Sequence, residues 1–211
     1  MDDAILCRKL SKAYGYVPAL RELDFTAARG EIVALTGDNG AGKSTLLKVL
    51  ATLLRPDAGE CRVLGHDLSA DAQKARAHMG YLGHESMLDR VLTLRENLQL
   101  FANLYGAPTS RCDELIERLA AKAYAESPVA ELSRGQEQAA ALGRALVHKP
   151  DVLLLDEPFN ALDPEARKRL AMLLKEEAAR GATVLFSTHD VEGAENVASR
   201  VVKMSAGRVI S

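Results

Sequence analysis

Gly37-Asp38-Asn39-Gly40-Ala41-Gly42-Lys43-Ser44-Thr45 is the stretch of sequence that decides the fold. It matches the phosphate-loop pattern G-x-x-x-x-G-K-[ST] at every fixed position. A β-type run at 31–36 precedes it, and apolar residues at helical spacing follow it at 45–50. Strand, glycine loop and helix in that order are the context that the pattern requires. The stretch therefore predicts a site where backbone N–H groups and a helix N-terminus surround the phosphates of a nucleotide.

Two side chains of this loop carry the predicted chemistry. Lys43 adds a full positive charge near the β- and γ-phosphates, and Ser44 offers its hydroxyl to Mg²⁺. A glycine-rich turn without a ligand is the competing interpretation. The complete match and the agreement of both flanks favour nucleotide binding.

A second group of polar residues follows two buried strands. The apolar run 152–155 ends in Asp156 and Glu157, as buried parallel strands do where a ligand binds at the carboxyl edge of an open α/β sheet. Asp156 is placed to hold Mg²⁺ through its water shell, and Glu157 is placed to orient or deprotonate a water that attacks the γ-phosphate. His189 ends the next strand and can donate a hydrogen bond to the phosphate or to that water.

Ser133 and Gln136 have the spacing of a capping box at the start of a helix. The same helix end presents N–H groups and a serine hydroxyl to an anion. From the residues alone, both interpretations stay open.

Charge and cysteine content exclude several classes of protein. The 211 residues carry 27 basic and 29 acidic side chains, a net charge of −2, so nothing indicates a nucleic-acid binder. The three scattered cysteines form no CxxC motif or Cys/His cluster; no disulfide framework or zinc site is expected, and a reducing compartment fits best. The acidic N-terminus lacks the features of a signal peptide, and no apolar run approaches ~20 residues. Any membrane role is therefore expected to come through a partner.

Strands and helices alternate on both sides of a helical block, which predicts a parallel α/β sheet with a helical insertion. The sequence first predicts strands at 4–9 and 20–27 around a turn, and then the phosphate-loop unit with a helix that ends at 55–59. Strands at 61–64 and 79–82 follow, and helices occupy about 90 to 147. The last part contains a buried strand at 152–155, a helix at about 164–179, a strand at 182–187, and a last helix and hairpin.

Together these motifs resemble one family, the nucleotide-binding subunits of ATP-binding cassette (ABC) transporters. The resemblance covers nearly the whole chain, and the motifs follow the order and spacing of the family. They are Gly37–Thr45 (Walker A), Leu132–Gln136 (the signature LSGGQ, with Arg134 replacing its first glycine), Val152–Glu157 (Walker B with the adjoining catalytic glutamate), Asn160–Asp163 (the D-loop) and His189 (the switch histidine).

The resemblance implies a single domain with the P-loop NTPase fold. Its parts would be a RecA-like core at about 1–85 and 146–211, an N-terminal antiparallel β region, and an inserted α-helical subdomain at about 86–145. It implies that the chain binds ATP and Mg²⁺ and hydrolyses ATP to power transport through a separate integral-membrane permease. The expected location is the cytoplasmic face of the membrane.

The resemblance also implies that two cassettes, identical or different, pack head to tail. Each ATP would lie between the phosphate loop of one cassette and the signature helix of the other. Besides the phosphate loop, the residues implied at the nucleotide are Tyr14, which resembles the aromatic residue that stacks on adenine and competes with Tyr16 for that assignment, and Ser133, Gly135, Gln136 and Asp163.

Two positions depart from the family pattern. The glutamine that normally reaches Mg²⁺ between core and helical subdomain falls on Glu85, the preferred position, or on His84 with one residue more. A carboxylate at Glu85 can bind Mg²⁺ through water but cannot donate an amide hydrogen bond. Ala139 stands where the family commonly has arginine. Neither change touches the Walker motifs or His189, so we predict an active ATPase.

The short chain and the strings 83–85 and 96–106 resemble the ATPase of the cytochrome c maturation haem exporter, and small ATPases of drug or lipid exporters share much of this. Two other classes compete with a transporter subunit. One is a soluble ABC-type ATPase that acts on nucleic acid or in iron–sulfur assembly, and the other is a catalytically weak binding module. For a transporter subunit, residues 84–105 are expected to form a groove for a short helix of the permease.

Overall fold

A six-stranded sheet and a four-stranded sheet form the framework of the computed structural model, which describes residues 3–210. The strands are β1 (Asp3–Tyr14), β2 (Val17–Ala28), β3 (Ile32–Thr36), β4 (Ala58–Val63), β5 (His66–Asp67), β6 (Met79–Leu82), β7 (Val152–Leu155), β8 (Thr183–Ser187), β9 (Arg200–Ser205) and β10 (Arg208–Val209). The helices are α1 (Lys43–Leu50), α2 (Ala72–Arg76), α3 (Leu94–Tyr105), α4 (Ser110–Arg118), α5 (Arg134–Leu146), α6 (Pro164–Ala179) and α7 (Val191–Glu195), with 3₁₀ turns at Lys122–Tyr124 and Val129–Glu131. Within residues 3–210, none of these helices has the length and apolar character needed to cross a bilayer.

The six-stranded sheet has the order β10-β9-β3-β8-β7-β6 and is parallel except for its β10–β9 edge. All residues of β3, β7 and β8 are buried, because α1 packs on one face of the sheet and α5 and α6 pack on the other. This confirms the predicted parallel α/β sheet. Since β8 lies between β3 and β7, the carboxyl ends of these three strands meet at one edge.

The four-stranded sheet has the order β2-β1-β4-β5 and is antiparallel throughout. Its first hairpin confirms the two predicted strands and extends them, because the pairing continues to Tyr14 and Val17 beside the turn. Apolar residues of this sheet and of α1 share one buried cluster with the near face of the parallel sheet. The antiparallel sheet therefore covers the side of the core from which α1 and the phosphate loop begin.

The predicted helical block consists of α3, α4 and α5. Capping boxes begin two of these helices, with Thr93 and Glu96 at α3 and with Ser133 and Gln136 at α5. The capping interpretation of Ser133 is thus confirmed. Buried residues of the three helices pack against the far face of the parallel sheet, so the block is anchored on the core.

Three details differ from the sequence prediction. Helix α1 ends at Leu50, before the predicted 55–59, because Thr52 adopts a positive φ of 61° that a helix cannot continue. The unpredicted β5 and α2 have only 2 and 5 residues, too few to generate a periodic pattern. Strand β9, predicted only as part of a hairpin, also pairs in parallel with β3, with Val201 beside Ala34.

Asn97 gives a test of this framework, because its fully buried amide ties the segment before α3 to the helix. Its side chain donates to the carbonyls of Asp89, Leu92 and Thr93 and accepts from the N–H of Asp89. Asn97→Ala leaves these groups unpaired, which we expect to cost about 2–3 kcal/mol and to lower Tm by roughly 4–12 °C. Asn103→Ala, at an exposed position of the same helix, is the control in thermal unfolding. Equal Tm values for the two variants would contradict the assignment.

Candidate functional site: the carboxyl edge of the parallel sheet

Two glycines hold the loop 37–45 in its conformation. Gly37 has φ 134° and Gly42 has φ 105°, a region that residues with a Cβ rarely adopt. A Cβ atom would collide with the carbonyl oxygen of Met204 at the first position and with that of Ala19 at the second. The loop therefore lies directly on neighbouring backbone. Helix α1 starts at Gly42 without a side-chain cap, which leaves its first N–H groups available to an anion.

Lys43 is buried, and its ammonium group lies inside the loop. Nζ donates to the carbonyl oxygens of Gly37 at 2.6 Å and Asp38 at 3.2 Å. None of the ion pairs found within residues 3–210 involves Lys43. The loop thus carries a positive charge without a carboxylate counterion.

Asp156 joins three elements of the site. Its Oδ1 accepts a hydrogen bond from Ser44 Oγ at 3.0 Å and another from Ser187 Oγ at 2.6 Å. The Ser187 hydroxyl in turn accepts from the backbone N–H of Glu157 at 2.8 Å. The structure therefore brings together Ser44 and Asp156, which lie 112 positions apart in the sequence. Ser187 is an addition that our sequence reasoning missed, although its position at the end of a buried strand was a usable signal.

Glu157 is held in a left-handed conformation, with φ 50°. The side-chain amide of Gln138 donates to the carbonyl oxygens of Glu157 at 3.2 Å and Pro158 at 3.0 Å. This fixes the turn after β7 from helix α5. Gln138 could not be identified from the sequence, because its contact depends on how α5 packs on the core.

The Glu157 carboxylate lies beside the predicted histidine. His189 Nε2 is 2.8 Å from Glu157 Oε1, but the contact does not have hydrogen-bond geometry, and this buried oxygen has no hydrogen-bond partner. Burial raises the pKa of Glu157 above its ordinary value and nearby Asp156 adds to this, whereas His189 and Lys43 act in the opposite direction. A half-buried carboxylate that lacks a hydrogen-bond partner on one oxygen and has a raised pKa is suited to accept a proton.

A cleft of about 120 Å³ opens beside these carboxylates. Asp156, Glu157 and His84 are among its lining residues, and Arg134 lines it from the start of α5. His84 and Glu85 are both exposed, and Glu85 does not line this cleft. Of the two candidates for the family's glutamine position, the cleft therefore contains His84.

The start of α5 faces the segment after Glu157. Ser133 accepts from the N–H of Gln136 at 3.3 Å, and the Gln136 side chain accepts from the N–H of Ser133 at 2.9 Å. A Cβ atom on Gly135 would lie 3.1 Å from the carbonyl oxygen of Ala161. The segments 132–136 and 160–163 are thus neighbours, and Ser133 is exposed to solvent.

Within residues 3–210, Asp163 and Tyr14 form no hydrogen bond or ion pair with the carboxylates just described. Asp163 caps α6 by accepting from the N–H of Ala166 at 2.8 Å. Tyr14, the last residue of β1, is 49% exposed, and Tyr16 in the adjoining turn is fully exposed.

The residues present fit Mg²⁺ bound together with a phosphate ligand. Ser44 and Asp156 provide hydroxyl and carboxylate oxygens in direct contact, the hard donors that Mg²⁺ prefers. Over residues 3–210, no cluster of three or more His, Cys, Asp or Glu side chains could hold a metal ion unaided. This is the donor set of a cation that completes its coordination with water and substrate phosphates.

Comparisons with known proteins agree with this geometry. The family described as ABC transporter matches residues 20–160. The daunorubicin resistance ATP-binding protein DrrA3 of Streptomyces coeruleorubidus is 41% identical over all of this chain and 68% of its own length. The Nod factor export ATP-binding protein I of Paraburkholderia xenovorans is 39% identical over all of this chain and 70% of its own length. A dimeric ATP-binding cassette in a post-hydrolysis state, bound to ADP and Pi, superposes with a TM-score of 0.91 at 27% identity, over 98% of this chain and 97% of the other.

The raised pKa of Glu157 predicts a pH-dependent effect on stability. The folded chain binds the proton of the Glu157 carboxyl group more tightly than the unfolded chain does. The free energy of unfolding therefore decreases as pH rises from the unfolded-state pKa of Glu157 through its folded-state pKa. Glu157→Gln removes that loss, so without nucleotide its Tm should exceed the wild-type Tm at neutral pH. The difference should vanish toward about pH 4.

Thermal unfolding at both pH values checks this prediction. Glu165→Gln, whose exposed carboxylate pairs with Lys168 at 2.9 Å, is the control and should change Tm little at either pH. A lower Tm for Glu157→Gln at neutral pH would contradict the cause given for the pKa shift.

Proposed function

The chain belongs to the ABC transporter family of ATP-binding subunits, and from this premise we propose that it hydrolyses ATP to drive export through a separate membrane permease. One observation carries the catalytic part of the proposal. The Asp156 carboxylate binds Ser44 of the phosphate loop, while the adjacent Glu157 lies 2.8 Å from His189. Groups that bind phosphate, hold a cation and accept a proton thus meet at one edge of the sheet.

The phosphate loop would hold the triphosphate of ATP. The uncapped N–H groups at the start of α1 would donate to phosphate oxygens. The Lys43 ammonium would exchange its contacts within the loop for contacts to phosphate oxygens. Ser44 and Asp156 would hold Mg²⁺, which supplies positive charge against the phosphate oxygens when it is bound. In this arrangement the residues of the chain mainly hold the γ-phosphate in one position and orientation.

Glu157 is the proposed general base. Its buried oxygen without a hydrogen-bond partner would accept a proton from the water that attacks the γ-phosphate, and its raised pKa improves the match to neutral pH. His189, which already lies against this carboxylate, would hold it in position and donate to the phosphate or to the water. Gln138 and Ser187 would keep the turn in place through the backbone of Glu157.

The position of the family's glutamine is also a proposal. Sequence spacing assigns it to Glu85, whereas the lining of the cleft beside Asp156 and Glu157 favours His84. An imidazole there would present a hydrogen-bonding nitrogen to the site without the additional negative charge that a carboxylate brings.

A second cassette would complete each site. Ser133 is exposed and lies beside the D-loop segment through Gly135 and Ala161, so this surface is accessible to another molecule. Ser133, Gly135, Gln136 and Asp163 would form that face, and Tyr14 would stack on adenine. The dimeric relative bound to ADP and Pi supports this arrangement. The second cassette in this arrangement can be an identical chain or a different one.

The named relatives bear on the transported substrate. Those described above are named for daunorubicin resistance and for Nod factor export, so we propose export of a drug-like or amphiphilic small molecule. The haem-exporter resemblance receives no support from them. A nucleic-acid or iron–sulfur role, or a catalytically weak module, is likewise less well supported than an exporter subunit on the cytoplasmic face of the membrane.

We propose that the two sheets and the helical block are the core and the helical subdomain expected from the sequence. The permease would dock in a cleft between these two parts. This coupling cleft, of about 140 Å³, is defined by Leu53, Met87, Tyr105, Arg144 and His148. Leu53, Met87 and Tyr105 are 49%, 43% and 43% exposed. Half-exposed apolar side chains around a concave surface fit the apolar face of a short helix.

The catalytic proposal is tested by steady-state ATP hydrolysis. Glu157→Gln keeps the shape of the side chain but removes the proton acceptor, so we expect kcat to fall by about 10²–10⁴-fold. Glu192→Gln, an exposed position at the start of α7, is the matched control and should retain wild-type kcat. Equal rates for Glu157→Gln and the wild type would overturn the assignment of the base.

A further inference from the structure

Arg144 is a buried cation in the wall of the coupling cleft. It is 8% exposed. Its Nη2 donates to the carbonyl oxygen of Tyr81 at 2.5 Å, its Nε has no hydrogen-bond partner, and its guanidinium carbon lies 5.4 Å from the centre of the Phe101 ring. No ion pair found within residues 3–210 involves Arg144, and burial lowers its pKa.

The other buried arginine of the described chain has carboxylate partners. Arg111 is 4% exposed and pairs with Glu114, and Glu177 lies 3.8 Å away. A buried charge without a counterion is costly, because the lost hydration is not replaced by an opposite charge. Arg111 thus has carboxylate partners. Arg144 has none within residues 3–210, and it contacts the carbonyl oxygen of Tyr81 and the ring of Phe101.

The rest of the coupling cleft has the same charge character. Arg76 is a further lining residue, and no acidic residue lines the cleft. His148 stacks on Tyr105 with ring centroids 3.9 Å apart, and burial lowers its pKa to about 4, so it is neutral at physiological pH. The cleft therefore combines an apolar rim with two guanidinium groups and no negative charge.

We propose that the coupling cleft binds an aspartate or glutamate side chain carried by a cytoplasmic segment of the permease, and that Arg144 is its counterion. This inference rests on the proposed function, which assigns the permease to this cleft. Apolar residues of the same segment contact Leu53, Met87 and Tyr105, while the carboxylate reaches the guanidinium. Charge complementarity selects an acidic segment over a neutral or basic one.

The contact has a short connection to the nucleotide. Arg144 is bonded to the carbonyl of Tyr81 in β6, and His84, three residues further along, lines the cleft beside Glu157. A carboxylate that binds Arg144 thus acts on one end of a segment whose other end lies at the site of hydrolysis.

The test uses the full chain in complex with its permease, purified in detergent. A photo-crosslinking residue, p-benzoylphenylalanine, replaces Leu53, and mass spectrometry identifies the permease peptide that it captures. Dissociation of the complex is then measured for Arg144→Gln, Arg144→Lys and the control Arg169→Gln, an exposed arginine on α6. Each acidic residue of the captured peptide is also changed to its amide in the wild-type background.

We expect capture of an acidic peptide, a dissociation constant raised at least about tenfold by Arg144→Gln and by one permease amide variant, and no further loss when both are combined. Arg144→Lys should lose less affinity than Arg144→Gln, and Arg169→Gln should match the wild type. If Arg144→Gln does not fold, the permease amide variants in the wild-type background decide the question.

Capture without any loss of affinity in the Arg144→Gln complex or the permease amide variants would overturn this inference and leave the docking proposal intact. Absence of permease capture at Leu53, and also at Met87 when the same photo-crosslinking residue replaces it in a second variant, would overturn both proposals. ATP hydrolysis by the isolated chain, measured separately, distinguishes either failure from failure of the catalytic proposal.

Discussion

The Asp156 carboxylate accepts hydrogen bonds from two hydroxyl groups, those of Ser44 and Ser187, and the arrangement of the whole site depends on this contact. Ser44 belongs to the first turn of α1, Ser187 ends β8, and Asp156 follows β7. One carboxylate thus fixes the phosphate loop relative to two central strands. The same hydroxyl of Ser187 accepts from Glu157 N–H, so the candidate base is positioned by the contact that positions the candidate metal ligands.

Helix α5 connects this edge of the sheet with the coupling cleft. Near its start, Gln138 donates to the backbone of Glu157 and Pro158; two turns later, Arg144 donates to Tyr81. The two ends of one rigid helix therefore contact the turn that carries the base and the strand that leads to His84. A permease segment bound at Arg144 and a nucleotide bound at the phosphate loop would both act on elements held by α5.

Features encoded by neighbouring residues were predictable from the sequence. The glycine pattern, the apolar run before Asp156 and the capping box at Ser133 each depend on local spacing, and the structure has the phosphate loop, β7 and α5 at those positions. The meeting of the strand ends at one edge was also predictable, since parallel strands that alternate with helices place their carboxyl ends together. The roles of Glu85, Tyr14 and the dimer face came from the family resemblance and stay predictions.

What the sequence could not supply depends on contacts between distant segments. Ser187 acts through a strand that follows Asp156 by 31 positions, and the amide of Gln138 is aimed by the packing of α5. The unpaired state of Arg144 is invisible in the sequence, because it depends on which carboxylates lie near it after folding. The left-handed turn at Thr52, which shortens α1, likewise has no glycine or proline to announce it.

The most direct test of the account is equilibrium titration of the chain with Mg-ATP, in the wild type and in Lys43→Ala. We expect saturable binding by the wild type and affinity at least about tenfold weaker in the variant, because an ammonium that neutralises phosphate charge is lost. Binding of equal affinity in both proteins, or no saturable binding by the wild type, would contradict it.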